Sequence, residues 1–134
     1  RDRDNAEKLA QWLSKQESID RIIYPGLKSH PQNEIASKQQ RTPNDDIIYG
    51  NMISIDLGNK QSRDSFLNHL EVFTLAESLG GVESLVCVPF NMTHAAVPVE
   101  TKLEMGITES LIRLSIGIEN FEDLKSDLSK ALEL

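Results

Sequence analysis

The sequence predicts an α/β fold, a two-layer sandwich in which helices cover one face of a small mixed sheet. Two observations support this fold class. Segments with the helical spacing of apolar residues alternate along the chain with short apolar segments of strand spacing. The chain has 134 residues, no internal repeat and no low-complexity tract, so we expect one domain over residues 1–134.

Spacing and turn residues predict the first helix and the first strand. Four apolar residues recur at the i, i+3, i+4 and i+7 positions of a helix that we expect to end near residues 16–18: Ala6, Leu9, Ala10 and Leu13. The segment "IDRIIYPGL" has the β-branched residues of a short strand. Pro25 and Gly26 stop this strand, because proline lacks an amide donor and glycine permits a turn.

A second helix, a loop and a second strand follow. "HPQNEIASKQQ" predicts a helix with Pro31 near its first turn, where a missing N–H costs nothing. We expect "TPNDD" to be a loop. "NMISIDLG" alternates as a half-buried strand does, with Ser54 and Asp56 on the side opposite to three apolar residues: Ile53, Ile55 and Leu57.

The second half of the chain predicts two more helices and two or three strands. A helix from about Gln61 to Leu70 precedes a strand in "ESLVCVP" and an alternating strand in "LIRLSIGIE". This last strand places Arg113 on the face opposite to four core residues: Ile112, Leu114, Ile116 and Ile118. Asn120 is the predicted N-cap of the last helix, and Asp123 lies in its acidic first turn.

The segment "FTLAESLGGVESL", residues 73–85, combines acids, serines and a glycine pair. Its frame is apolar, and we expect five residues to anchor it: Phe73, Leu75, Leu79, Val82 and Leu85. The glycines permit a turn or the close approach of another group. The segment is therefore interpreted either as a holder of something small and polar, or as a buried strand, a Gly-Gly turn and a second strand or helix.

Charge and cysteine content exclude several classes of function. The chain has 21 acidic and 14 basic residues, a net charge of -7 and no run of Lys or Arg, so we expect no nucleic-acid partner. No apolar segment has membrane-spanning length and the first residues lack the apolar stretch of a signal peptide, which predicts a cytoplasmic protein with no membrane partner. Cys87 is the only cysteine, so neither a disulfide framework nor a metal site is predicted.

The chain starts with charged residues, "RDRDNAEKL", that run directly into the first helix without an initiator methionine. We interpret this start as a cut inside a longer protein. The sheet face that the helices leave uncovered would then meet the rest of that protein, and its polar residues would belong to a shared site.

Four motifs, in order along the chain, carry a resemblance to a known family. They are "IIYPGLKSHPQNEIASKQ", "FTLAESLGGVESL", "MTHAAVP" and "GITESLIRLSIGIENFEDLKSDLSKAL". Together they resemble the C-terminal domain of the cystathionine γ-lyase and cystathionine γ-synthase family of pyridoxal-phosphate (PLP) enzymes. The likeness covers nearly the whole chain and implies the C-terminal domain of a fold-type I PLP enzyme.

The resemblance implies a full-length homotetramer in which a large domain, absent from this chain, holds PLP on a lysine. The C-terminal domain then helps to bind the amino-acid substrate, cystathionine or a related compound, beside the large domain of the same chain. None of the lysines lies in a segment similar to the family's cofactor-binding lysine segment, and no Gly-rich phosphate loop precedes a helix. No catalytic residue is therefore expected in this chain, which should be inactive alone.

Carried over by motif position, the resemblance implies the substrate-binding residues. Arg113 in "LIRLSIG" is similar to the arginine that receives the substrate α-carboxylate, which a guanidinium can hold with two hydrogen bonds. Ser78 is similar to a serine that helps to hold the same carboxylate, and Leu79 to the neighbour whose backbone borders it. Thr93 in "MTHAA" is similar to a threonine near the cofactor. From alternation alone, Arg113 could instead lie on a solvated strand face.

Glu77 is the residue that bears on subtype. An acid at this position resembles many γ-lyases and γ-synthases and favours a substrate whose distal amino group can pair with a carboxylate. We therefore expect a cystathionine γ-lyase, which converts cystathionine to cysteine, 2-oxobutanoate and ammonia. The alternatives are a domain of a cystathionine γ-synthase or β-lyase, or a free-standing amino-acid-binding regulatory module of the same fold.

Overall fold

The alternating apolar segments form the strands of one mixed sheet. The computed structural model describes residues 1–27, 30–39, 49–76, 82–92 and 94–133. Within these ranges the sheet has five strands in the order β1-β2-β5-β4-β3, and only β3 and β4 run parallel. The strands are β1 (Arg21–Ile23), β2 (Met52–Asp56), β3 (Thr74–Leu75), β4 (Leu85–Cys87) and β5 (Leu111–Ser115).

Five helices accompany this sheet in the same described ranges. They are α1 (Asp2–Leu13), α2 (Asn33–Gln39), α3 (Lys60–Asn68), α4 (Val99–Glu104) and α5 (Phe121–Glu133). The side chain of Asn59 caps α3 by accepting the Ser62 N–H at 2.8 Å, and Asn120 caps α5 by accepting the Glu122 N–H at 2.9 Å. Of the helices described, none is both long and apolar enough to cross a membrane.

The main core lies between one face of the sheet and three helices, as the sequence predicts. Apolar residues of the central strands β2 and β5 are fully buried on this face: Ile53, Ile55, Ile112 and Leu114. Helices α1, α3 and α5 cover this face with six buried apolar residues: Ala6, Leu9, Leu13, Phe66, Leu124 and Leu128. Burying each such Leu, Ile or Phe stabilises the fold by about 1.5 to 3 kcal/mol. The predicted α/β sandwich with helices on one face is confirmed.

Three details of the prediction are wrong at the ends of elements. Helix α1 ends at Leu13, before residues 16–18, because its apolar spacing stops there and the following residues are polar. Ile118 is 48% exposed, since β5 ends at Ser115 and the face pattern does not continue beyond it. Leu75 and Val82 are also exposed, so of the predicted anchors of the 73–85 segment, Phe73 is buried and those two are not.

Helix α4 was not predicted from the sequence. It has only six residues, too few for a repeat of apolar spacing. Two weaker signals bracket it: Pro98 lies directly before it, and Gly106 follows it with a positive φ of 80°. The loop "TPNDD", residues 42–46, lies outside the described residues.

Candidate functional site

The sheet face opposite to the main core carries polar side chains at its centre. Strand pairing aligns Ser54 of β2, Arg113 of β5 and Cys87 of β4 in one row across this face. Residues directly opposite in neighbouring strands share a face, so these three side chains point the same way. The prediction that Arg113 points away from the main core is confirmed.

Arg113 is half-buried, and its guanidinium is incompletely paired. Its Nη2 lies 4.0 Å from the Sγ of Cys87, which is itself buried. Its Nε is buried and has no hydrogen-bond partner among the residues that the structure describes. Leaving such a donor without a partner costs about 1 to 3 kcal/mol, so a partner from outside these residues is expected.

A guanidinium in this setting can hold a planar anion. Its N–H donors form a rigid fork that matches the two oxygens of a carboxylate, and the unmatched Nε supplies one of the two parallel bonds. Its neighbours in the row are Ser54 on β2 and Cys87 on β4. The arrangement can therefore fix both the position and the orientation of a carboxylate on this sheet face.

A second polar cluster on the same face is structural. Buried Asp56 accepts hydrogen bonds from the Gly58 N–H at 2.9 Å, the Thr108 hydroxyl at 2.7 Å and the Ser110 hydroxyl. The Nη2 atom of Arg21 lies 3.7 Å from Oδ2 of Asp56. Burial alone would raise the pKa of Asp56, but these hydrogen bonds and the Arg21 charge outweigh it and lower the pKa below its ordinary value. Asp56 therefore joins β2 to the chain that leads into β5.

We expect Asp56→Asn to lower the free energy of unfolding by about 1.5 to 3 kcal/mol at neutral pH, because the charged acceptor is lost. The stabilisation by Asp56 is present above the pKa of the unfolded state, about 3.9. It is lost as the pH falls through the lower pKa of the folded state. The difference between variant and wild type in urea unfolding should therefore shrink from pH 5 towards pH 2.

Asp20→Asn is the matched control for this measurement. Asp20 adjoins Arg21 but is exposed, so the same loss of charge should change the free energy of unfolding by less than about 0.5 kcal/mol. An equal and pH-independent loss of unfolding free energy in both variants would contradict the role of Asp56.

In the described part of the chain, no group of His, Cys, Asp and Glu side chains is placed to hold a metal ion.

The chain that leads into β3 is held by a buried carboxylate of α5. Asp127 accepts the N–H of Glu71 at 2.8 Å, of Val72 at 2.9 Å and of Phe73 at 3.2 Å. Three consecutive backbone donors thus converge on one side chain. This contact fixes the beginning of the 73–85 segment, and no sequence pattern signalled it.

Four of the five site residues implied by the resemblance lie outside the described residues. They are Glu77, Ser78, Leu79 and Thr93. Ala76 and Val82, on either side of the first three, are described, as are Met92 and His94 on either side of Thr93. The structure thus describes the position of Arg113 alone among the five, and the roles of all five residues stay predictions.

Taken together, the fold and the site define an α/β domain with one helix-covered sheet face and an opposite face that carries the half-buried Arg113. The chain belongs to the Cys/Met metabolism PLP-dependent enzyme family, whose sequence model matches residues 1–133.

Relatives in this family carry several activities. The chain is 47% identical to a cystathionine gamma-lyase of Bacillus subtilis (strain 168) and 48% identical to a cystathionine beta-lyase of Lactococcus lactis subsp. cremoris (strain MG1363), over 96% of this chain and 32% of each relative. A crystal structure of cystathionine gamma synthase from Xanthomonas oryzae pv. oryzae in complex with cystathionine is similar at a TM-score of 0.90. It is 41% identical, over 98% of this chain and 33% of that one. The chain spans about a third of the length of the relatives it matches.

The family is PLP-dependent, and a lysine would be needed to hold that cofactor. Among the described lysines, Lys102 is the buried one, and its ammonium donates to the Phe90 carbonyl at 2.7 Å and lies 4.1 Å from the centre of the Phe90 ring. The other described lysines are exposed or half-buried, all on helices except Lys15, which follows α1: Lys8, Lys15, Lys38, Lys60, Lys125 and Lys130. The described residues therefore do not by themselves fit PLP.

Proposed function

We propose that this chain is the substrate-binding C-terminal domain of a PLP-dependent cystathionine γ-lyase. The complete enzyme would convert cystathionine to cysteine, 2-oxobutanoate and ammonia in the cytoplasm, as a homotetramer. In this proposal a large domain outside the chain holds PLP, which supplies the electron sink when bound. This chain contributes substrate binding and no catalytic residue.

The observation that carries the proposal is the buried Nε of Arg113 without a described partner. An amino-acid substrate brings a carboxylate that can accept from this donor, and a two-bond contact would fix the direction of the neighbouring Cα–H. The site lies on the sheet face opposite to the one that α1, α3 and α5 cover, and Arg113 is half-buried there. In our proposal the large domain approaches this face. Arg113 therefore orients the substrate rather than changing it chemically.

Three further residues complete the proposed site. Ser78 adds a hydroxyl and a backbone N–H to the carboxylate contact, and Leu79 borders it with its backbone. Thr93 lies near the cofactor. These assignments follow from their motif positions, between the described residues Ala76 and Val82 for the first two.

The choice of γ-lyase over β-lyase and γ-synthase rests on Glu77. The chain has nearly the same sequence identity to a relative named cystathionine gamma-lyase and to one named cystathionine beta-lyase. Sequence identity therefore does not separate the two activities. In our proposal the carboxylate of Glu77 pairs with the distal ammonium of cystathionine. The alternative activities, cystathionine γ-synthase and cystathionine β-lyase, would use the same Arg113 contact.

The proposed function is tested with the complete enzyme and with this chain alone. We expect the complete enzyme to release 2-oxobutanoate and cysteine from cystathionine. The isolated chain should form no product and keep no PLP absorbance after dialysis, because its described lysines do not fit the cofactor. Release of pyruvate and homocysteine by the complete enzyme would instead establish β-lyase activity, and PLP retained by the chain alone through one lysine would contradict the proposed division of roles.

Glu77→Ala in the complete enzyme should reduce kcat/KM for cystathionine relative to a homoserine or cysteine derivative without the distal amino group. The expected relative loss is about ten- to a hundredfold, equivalent to one charge-assisted hydrogen bond of about 1.5 to 3 kcal/mol. Glu83→Ala, an exposed acid after the same glycine pair, is the control and should leave the ratio unchanged. An equal loss on both substrates would mean that Glu77 is structural.

A further inference from the structure

The chain entering β4 is hydrogen-bonded to the chain leaving β5. The Glu119 carboxylate accepts the Ser84 N–H at 2.8 Å and the Ser84 hydroxyl at 2.7 Å. That hydroxyl accepts the Gly117 N–H at 2.8 Å. The Ile118 N–H donates to the Val82 carbonyl at 3.0 Å. We call Ser84, Gly117 and Glu119 the β4 clamp.

The backbone within the β4 clamp is in direct contact at Gly117. A Cβ atom there would lie 2.3 Å from the Val82 carbonyl oxygen and 2.5 Å from Oε1 of Glu119, so only glycine fits. Asn5 of α1 supports the clamp from the core side, since its amide donates to the carbonyls of Gly117 at 3.1 Å and Glu119 at 2.8 Å. The clamp is therefore fixed to the core rather than placed on a free surface loop.

The β4 clamp continues the pairing of β4 with β5. In that pairing Leu85 lies opposite Ser115 and Cys87 opposite Arg113. A shift of β4 by one residue would turn Cys87 to the other face, away from Arg113. On its other side, the clamp holds the residues that directly follow Gly81 in the sequence.

We propose that Glu119 is a positioning residue for the substrate site. Through Ser84 it fixes the chain entering β4, and thereby the register that places Cys87 of β4 opposite Arg113 of β5. This inference rests on the proposed function. A carboxylate suits the role because it accepts both bonds from Ser84, whereas a carboxamide has one acceptor oxygen and turns its NH₂ group towards a donor.

The test uses Glu119→Gln and Ser84→Ala in the complete enzyme, with Glu122→Gln as control. Glu122 is an exposed acid three residues from Glu119, and its change removes the same charge. Kinetics with cystathionine are measured together with thermal unfolding and the absorbance of bound cofactor. We expect both clamp variants to raise KM about tenfold while kcat changes less than about threefold, because ground-state binding through the carboxylate contacts is lost. The control should match the wild type.

If the wild type is active and KM is unchanged in both clamp variants, the inference about Glu119 is overturned, whereas the proposed function is not. The inference is also overturned if the variants lose activity only through unfolding or loss of cofactor. If Glu119→Gln does not fold, Ser84→Ala is the milder change that still tests the inference. A wild type that does not turn over cystathionine overturns the proposed function and, with it, this inference.

Discussion

Arg113→Lys in the complete enzyme should reduce kcat/KM for cystathionine by about thirty- to a thousandfold, equivalent to about 2 to 4 kcal/mol. A lysine keeps the positive charge but not the planar fork, so it cannot form the two parallel bonds that orient a carboxylate. The half-buried setting beside Cys87 enlarges the effect, because water cannot easily replace the lost donor. Steady-state kinetics with purified variants measure it.

Arg21→Lys is the matched control, since Arg21 lies on the same face of the sheet but its side chain is 45% exposed. It should change kcat/KM by less than about twofold. Cofactor absorbance should be retained in both variants. Near-normal kcat/KM for Arg113→Lys would reject the carboxylate assignment, and a loss fully explained by unfolding would make Arg113 a structural residue.

Asp127→Asn should destabilise the chain by about 1.5 to 3 kcal/mol, because three backbone donors, of which that of Phe73 is buried, lose the carboxylate that accepts from all of them. Asn has nearly the same shape, but it keeps one acceptor oxygen and directs an NH₂ group at N–H donors of residues 71–73. Urea unfolding should show a lower midpoint with an unchanged slope.

Asp123→Asn provides the comparison for this variant. Asp123 lies one turn earlier on α5 and is exposed, so its change should cost less than about 0.5 kcal/mol. Equal midpoints for Asp127→Asn and wild type would show that the backbone donors of residues 71–73 find other partners.

Periodicity was sufficient to predict the sheet and its buried face. Alternation is a geometric property of a strand, so Arg113 had to lie opposite to Ile112 and Leu114 once β5 existed. The same rule failed at Ile118, because the strand ends at Ser115, where the β4 clamp takes over. Exposure of Leu75 likewise follows from the position of β3 as a two-residue edge strand, which no local pattern reveals.

Contacts distant in sequence were not predictable in this way. Asp127 lies 54 to 56 residues from the donors it accepts, and within a helical pattern an aspartate indicates a solvated face. Glu119 and Ser84 are similarly separated by 35 residues. The resemblance to a family indicated the proposed substrate residues. Only the structure revealed the side chains, Asp127 and Glu119, that hold backbone near them in the sequence.

The contact of Asn5 with Gly117 and Glu119 spans 112 and 114 residues, and it has a consequence for how the chain folds during synthesis. Helix α1 is synthesised before the strands of this sheet, and the carbonyls that its Asn5 binds follow 112 and 114 residues later. Until shortly before then the sheet lacks its central strand β5, so the apolar stripe around Leu9 has only an incomplete sheet to pack against. Contacts between residues so far apart in the sequence form more slowly than local contacts do. Helix α1 is therefore the part of this domain that a chaperone can bind for longest.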